Sequence, residues 1–178
     1  MNIEKADYCA IISLGTMDEF YQKMKIEKKT IKDIVNEKDS YDGSSLLECC
    51  ISSSKNRMDI ALELLENNAN VNVITNNGNE FHYLAWRMDF DGAVEVGYKL
   101  LEKGASLNIQ DKRYKNTGFF TLCHCAFIKK REKDIKFLED CLKTGNVDLD
   151  VKNVAGFTPR VVIMERGTDS LRELIKNM

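Results

Sequence analysis

The residues of this chain with the most chemistry to offer are two histidines, His82 and His124, and six cysteines. Cys123-His124-Cys125 sets three potential metal ligands in a row, and Cys49-Cys50 sets two thiols side by side. Residues one or two apart on a helix do not share a face, however. A zinc site shows paired ligands at loop spacing, and no second cysteine pair of that kind exists here. Cys49-Cys50 reads instead as part of the small-residue core of a helix, where a free thiol behaves as a small hydrophobe. No metal and no cofactor is expected.

Other catalytic signatures are missing from the sequence. There is no Gly-x-x-x-x-Gly-Lys, no Gly-x-Gly-x-x-Gly and no Gly-x-Ser-x-Gly. The acidic pair Asp89/Asp91 falls in a loop-like insertion that it serves to solvate. No constellation makes an enzyme, and a non-catalytic role is expected.

Those residues must be positioned by the rest of the chain, which has 178 residues. That is about one domain by the usual length prior. Hydrophobic residues make up 43% and charged residues 30%, so the chain is globular rather than disordered. Lys plus Arg is 26 and Asp plus Glu is 28, a balance that argues against a dedicated nucleic-acid binder. A single proline, where average usage gives about nine, suggests a mostly helical chain. No stretch reaches the ~18 apolar residues of a spanning helix. The run Cys9–Leu14 follows Glu4 and Asp7 and lacks the basic start of a secretory signal. The expected setting is therefore cytoplasmic, away from membranes, with reduced thiols.

A repeat organises the chain. Leu64-Leu65-Glu66-Asn67-Asn68-Ala69-Asn70-Val71-Asn72 returns as Leu100-Leu101-Glu102-Lys103-Gly104-Ala105-Ser106-Leu107-Asn108, and more weakly as Cys141-Leu142-Lys143-Thr144-Gly145-Asn146-Val147-Asp148. Between these lie openings of another kind, marked by Gly43, Gly78, Gly118 and Gly156 at spacings of 35, 40 and 38. The last opening reads Gly156-Phe157-Thr158-Pro159. Ile60, Ala61, Leu64 and Leu65 share one helical face. Gly104 and Gly145 suit the left-handed position that ends a helix. Thr158 reads as an N-cap with Pro159 in the first helical position.

These motifs resemble the ankyrin repeat, whose opening is Gly-x-Thr-Pro-Leu-His-x-Ala and whose close is Leu-Leu-x-x-Gly-Ala-x-Val-Asn. The resemblance covers about residues 40–178. It implies an all-α ankyrin-repeat solenoid of stacked helix-turn-helix units with a divergent N-terminal cap. One domain, 1–178, would comprise a capping repeat at 1–39, internal repeats at 40–74, 75–111 and 112–152, and a C-terminal cap repeat at 153–178. In the capping repeat, Ala6–Leu14 and Met17–Met24 read as helices split at Gly15-Thr16, with a further helix over 29–36. At the family's histidine position, His82 and His124 would tie down turns through hydrogen bonds.

The resemblance also implies a working surface. In this family turn tips and inner-helix edges meet other proteins. Here they carry Tyr41, Asp42, Asn76, Asn77, Trp86, Arg87, Tyr114, Lys115 and Phe119. Eight basic residues against two acidic ones between 112 and 136 read first as a solvated face and next as a site for an acidic protein, with nucleic acid last given the overall charge balance. A small array of this kind works by binding alone, as a monomer. It resembles the immunity or antitoxin proteins that inhibit or sequester a toxin, with an effector or scaffold that recruits a cellular protein as the alternative.

Overall fold

The computed structural model describes residues 2–176 and 178. Met1 and Asn177, which the expected domain range includes, lie outside the described residues. Among the described residues the chain forms helices and no strand: α1 (Tyr8–Leu14), α2 (Met17–Glu27), α3 (Ile31–Ile34), α4 (Leu46–Ser52), α5 (Met58–Glu66), α6 (Glu80–Ala85), α7 (Ala93–Glu102), α8 (Gly118–Lys129), α9 (Glu132–Lys143), α10 (Pro159–Arg166) and α11 (Asp169–Lys176). The fold is all-α. None of these helices is long and apolar enough to cross a membrane.

The helices pack in two rows. In the inner row α1, α4, α6, α8 and α10 lie side by side in that order, and in the outer row α3, α5, α7, α9 and α11 do the same. The rows are tied by the hairpin partners α4 and α5, α6 and α7, α8 and α9, and α10 and α11. The outer helices bury one stripe each. In α5 it is Ile60, Ala61, Leu64 and Leu65, and in α9 it is Phe137, Leu138, Cys141 and Leu142. Central α8, packed against α6, α9 and α10, buries more than one stripe. It buries Phe119, Phe120, Leu122, Cys123, Cys125, Ala126 and Phe127, so the flanking thiols of Cys123-His124-Cys125 are core residues.

Inner helices start on side-chain caps. Ser45, Thr117 and Thr158 each accept the N–H of the residue three positions on. With Asn79 as the cap of α6, the units begin 34, 38 and 41 residues apart. Such a cap is worth about 1 kcal/mol. The third unit corrects the sequence reading. Its turn does not lie at Gly118, because Thr117 is the cap and Gly118 is the first helical residue. A Cβ at Gly118 would come within 2.9 Å of the Phe81 Cβ, so the glycine lets α8 approach α6. In that register Phe119 points into the core and is fully buried, not at an exposed inner edge.

Polar side chains stitch successive units together. Asn72 accepts the Ser106 N–H at 2.6 Å through Oδ1 and donates to the Gly104 carbonyl at 3.0 Å through Nδ2. Asn108 repeats this one unit on, with the Asp148 N–H and the Asn146 carbonyl, both at 2.8 Å. At the other end of the helices, Arg57 donates to the carbonyls of Ile12 and Gly15. Arg87 likewise donates to those of Ser53 and Ser52. The core is therefore continuous, and each unit closes the backbone bonding of its neighbour.

Candidate functional site

The inner row and the turns ahead of it enclose an open cavity of about 680 Å³. Three turns wall it, at residues 75–78, 111–116 and 153–157, and α6, α8 and α10 floor it. The walls are held rigid by their own side chains. Asp111 accepts the backbone N–H groups of Arg113 and Tyr114 through Oδ1 and of Asn116 through Oδ2. Asn153 accepts those of Ala155 and Phe157 through Oδ1. The turns also bond to one another. The Val154 N–H donates to the Tyr114 carbonyl at 2.9 Å, and Asn153 Nδ2 to Asn116 Oδ1 at 2.9 Å.

His82 is the hinge between floor and wall. It lies three residues after the cap Asn79, whose N–H donates to Nδ1 at 3.1 Å. The neutral ring therefore carries its proton on Nε2, 2.9 Å from the Asn116 carbonyl that accepts it. Burial holds its pKa below the usual histidine value. So His82 does tie down a turn. His124 does not: it sits mid-helix in α8, lines the cavity, and meets the Trp86 ring edge-on at 6.5 Å.

Aromatic and aliphatic surface dominates the lining. Trp86 at the end of α6 is 58% exposed, Tyr114 is 49% exposed and Phe157 47%. Phe120 and Val162 lie beneath them. Arg113 stacks on Tyr114, 4.9 Å from its ring centre. Glu165 and Arg166 close the α10 side.

Of the residues expected at the working surface, Asn77, Trp86 and Tyr114 line this cavity. Lys115 is exposed at the tip of the same turn as Tyr114. Asn76 is exposed at its own turn and accepts from Lys112 Nζ through Oδ1. Tyr41 and Asp42 are exposed at the first turn and do not line the cavity, Tyr41 being 97% exposed. Arg87 is half-buried, with its guanidinium committed to the carbonyls of the preceding unit. Phe119 belongs to the core, as its register from Thr117 requires. Sequence reasoning missed Phe120, Val154, Val162 and Arg166. Counting from Thr117 as the cap would have placed Phe120 at the position His82 fills in α6.

The basic run 112–136 proves to be two clusters. Lys112, Arg113 and Lys115 stand at the cavity turn, whereas Lys129 and Lys130 stand at the far end of α8. Twelve residues of helix, roughly 18 Å, separate them.

All six cysteines are free and buried. Burial pushes the Cys125 thiol up to about 11 and the Cys141 thiol up to about 12. Among the described residues no group of three or more His, Cys, Asp or Glu is placed to hold a metal ion.

No family model matches the chain, and no curated protein does. Among solved structures, a functionally unknown protein from Leptotrichia buccalis C-1013-b is similar over 98% of this chain and 93% of its own, with a TM-score of 0.70 and 17% identity. That likeness is one of fold.

Proposed function

We propose that the chain is an ankyrin-repeat protein that binds another protein, without catalysis, in the cavity along its inner helix row. The observation that carries this reading is the exposed aromatic set Trp86, Tyr114 and Phe157 on rigid walls around that cavity. Large aromatics beside arginine are the usual anchors of protein interfaces. Walls already fixed in the free protein lower the ordering cost of binding. The ankyrin assignment is supported by the repeated Leu-Leu close and by paired helices that recur with each opening. Binding is favoured over catalysis because the buried polar groups of the cavity, His82 and Asp111, are committed to holding its walls. Both His82 nitrogens and both Asp111 oxygens hold backbone groups.

The role that follows most simply is inhibition or sequestration of the partner, as an immunity or antitoxin protein does to a toxin. Trp86→Ala and Tyr114→Ala should each weaken partner binding by roughly thirtyfold, about 2 kcal/mol, with the melting temperature nearly unchanged. Unchanged affinity in both variants would refute the cavity as the binding site.

A further inference from the structure

We infer that the cavity takes a linear segment of its partner that carries an aromatic or large aliphatic side chain followed closely by acidic residues. This rests on the protein-binding reading and goes on to specify the ligand.

The length follows from the walls. Three successive turns border the cavity, and neighbouring helices of the floor pack about 8–10 Å apart. The trough is thus roughly 20 Å long, enough for about six residues of extended chain at 3.3–3.6 Å each. Such a trough, shared by three units, suits a strand of peptide better than a compact molecule.

The chemistry follows from the lining. Trp86, Tyr114 and Phe157 present apolar faces that no residue of this chain covers fully, so one bulky side chain belongs between them. Charge is uneven around that spot. Lys112, Arg113 and Lys115 crowd the central turn, Arg166 lines the cavity from the last turn of α10, and none of the four has an acidic partner among the described residues. The acids nearby offset them only in part. The Asp111 carboxylate keeps its charge but has both oxygens taken by three backbone N–H groups, so with Glu165 it sets two carboxylates against four cations. Arginines on either side of an apolar slot can each take a carboxylate through paired N–H donors. An acidic flank also meets a lip that attracts it from a distance at low salt.

The test uses the full chain and a phage-displayed library of random twelve-residue peptides. Selected peptides are then synthesised and titrated while the emission of Trp86, the single tryptophan of the chain, is followed. Selected peptides should share a bulky apolar residue with two or more Asp or Glu within four positions. They should shift the Trp86 emission and lose at least tenfold in affinity when the acids become amides. The Arg113→Glu/Arg166→Glu variant, checked for an unchanged melting temperature, should lose as much and should select basic peptides instead. Peptides that move the Trp86 emission but are neutral or basic, or that bind the charge-reversed variant equally well, overturn the acidic-segment inference and leave the cavity reading standing. Selected peptides that leave the emission unmoved, or no selection at all, overturn the linear-segment inference, whereas the affinities of the Trp86→Ala and Tyr114→Ala variants decide the cavity reading.

Discussion

Glu48 stands in α4 where His82 stands in α6. Each lies three residues past its helix cap, and each takes the cap's backbone N–H, at 2.9 Å for Glu48 Oε2 and 3.1 Å for His82 Nδ1. The far sides differ. His82 Nε2–H reaches a carbonyl of the next turn, whereas Glu48 Oε1 is buried without a hydrogen-bond partner. Burial, reinforced by the charges of Glu80 and Asp42, pushes Glu48 up to about 7, against the pull of the Ser45 N–H.

Stability should therefore depend on pH in a specific direction. Glu48 binds a proton more tightly folded than unfolded, so its contribution favours folding below about 4.5 and is lost as pH rises through about 7. His82 acts oppositely, because burial lowers its pKa and acidification favours the unfolded chain below about 6.5. Glu48→Gln should be more stable than the native chain at pH 8, on the order of 1–3 kcal/mol. That advantage should shrink toward pH 5. Thermal melts across pH 5–8 check this, and an advantage independent of pH would contradict it.

Asn72 combines a left-handed backbone, φ 65°, with two hydrogen bonds into the next unit. Asn72→Ala should cost about 2–3 kcal/mol, since it removes both bonds and strains the backbone. Asn72→Gly relieves only the strain and should recover about 1 kcal/mol of that loss. Denaturant titration of the two variants separates bonding from conformation.

Gly97 lies inside α7, where helix propensity favours alanine by about 1 kcal/mol. An added Cβ would meet the buried Phe137 ring at 2.6 Å and a Leu84 methyl at 3.3 Å. Overpacking of this kind costs about 1–3 kcal/mol, so Gly97→Ala should destabilise despite its better propensity. A raised melting temperature would show that α7 and α9 can part more easily than their packing implies.

Thiol reactivity should follow burial. All six cysteines are buried, and burial raises Cys50, Cys123, Cys125 and Cys141 above the ordinary thiol range. Less than about one thiol per chain should react promptly with Ellman's reagent at pH 8. All six should react in denaturant. Prompt reaction of Cys123 or Cys125 would place them at the cavity surface instead.

The helical character was legible because apolar spacing and caps agree along much of the chain. Ile60 to Leu65 mark the α5 stripe, and Thr158-Pro159 start α10 as cap and first residue. The expected break at Gly15-Thr16 also separates α1 from α2. What misled was Gly118. Gly43, Gly78 and Gly156 mark turns through positive φ, but here the value of glycine is close helix approach, and periodicity alone does not distinguish the two. The slip put Phe119 on the surface and His124 at a turn. Trp86 and Tyr114 were legible because they lie outside the apolar helix stripes, one just past the end of α6 and the other within a polar turn. The far wall of the cavity was not, since Val162 and Arg166 join it only through the packing of α10 on α8.

The most direct test of the central claim is site-specific photo-crosslinking in cells of the source organism. A photoreactive phenylalanine analogue would replace Tyr114 or Phe157 at the cavity, or Lys136 on the outer helix α9. Irradiation should give a discrete protein adduct from positions 114 and 157 and none from 136, and Trp86→Ala in the same chain should abolish it. An adduct from position 136 with none from the cavity, or no adduct from any position, would contradict the account.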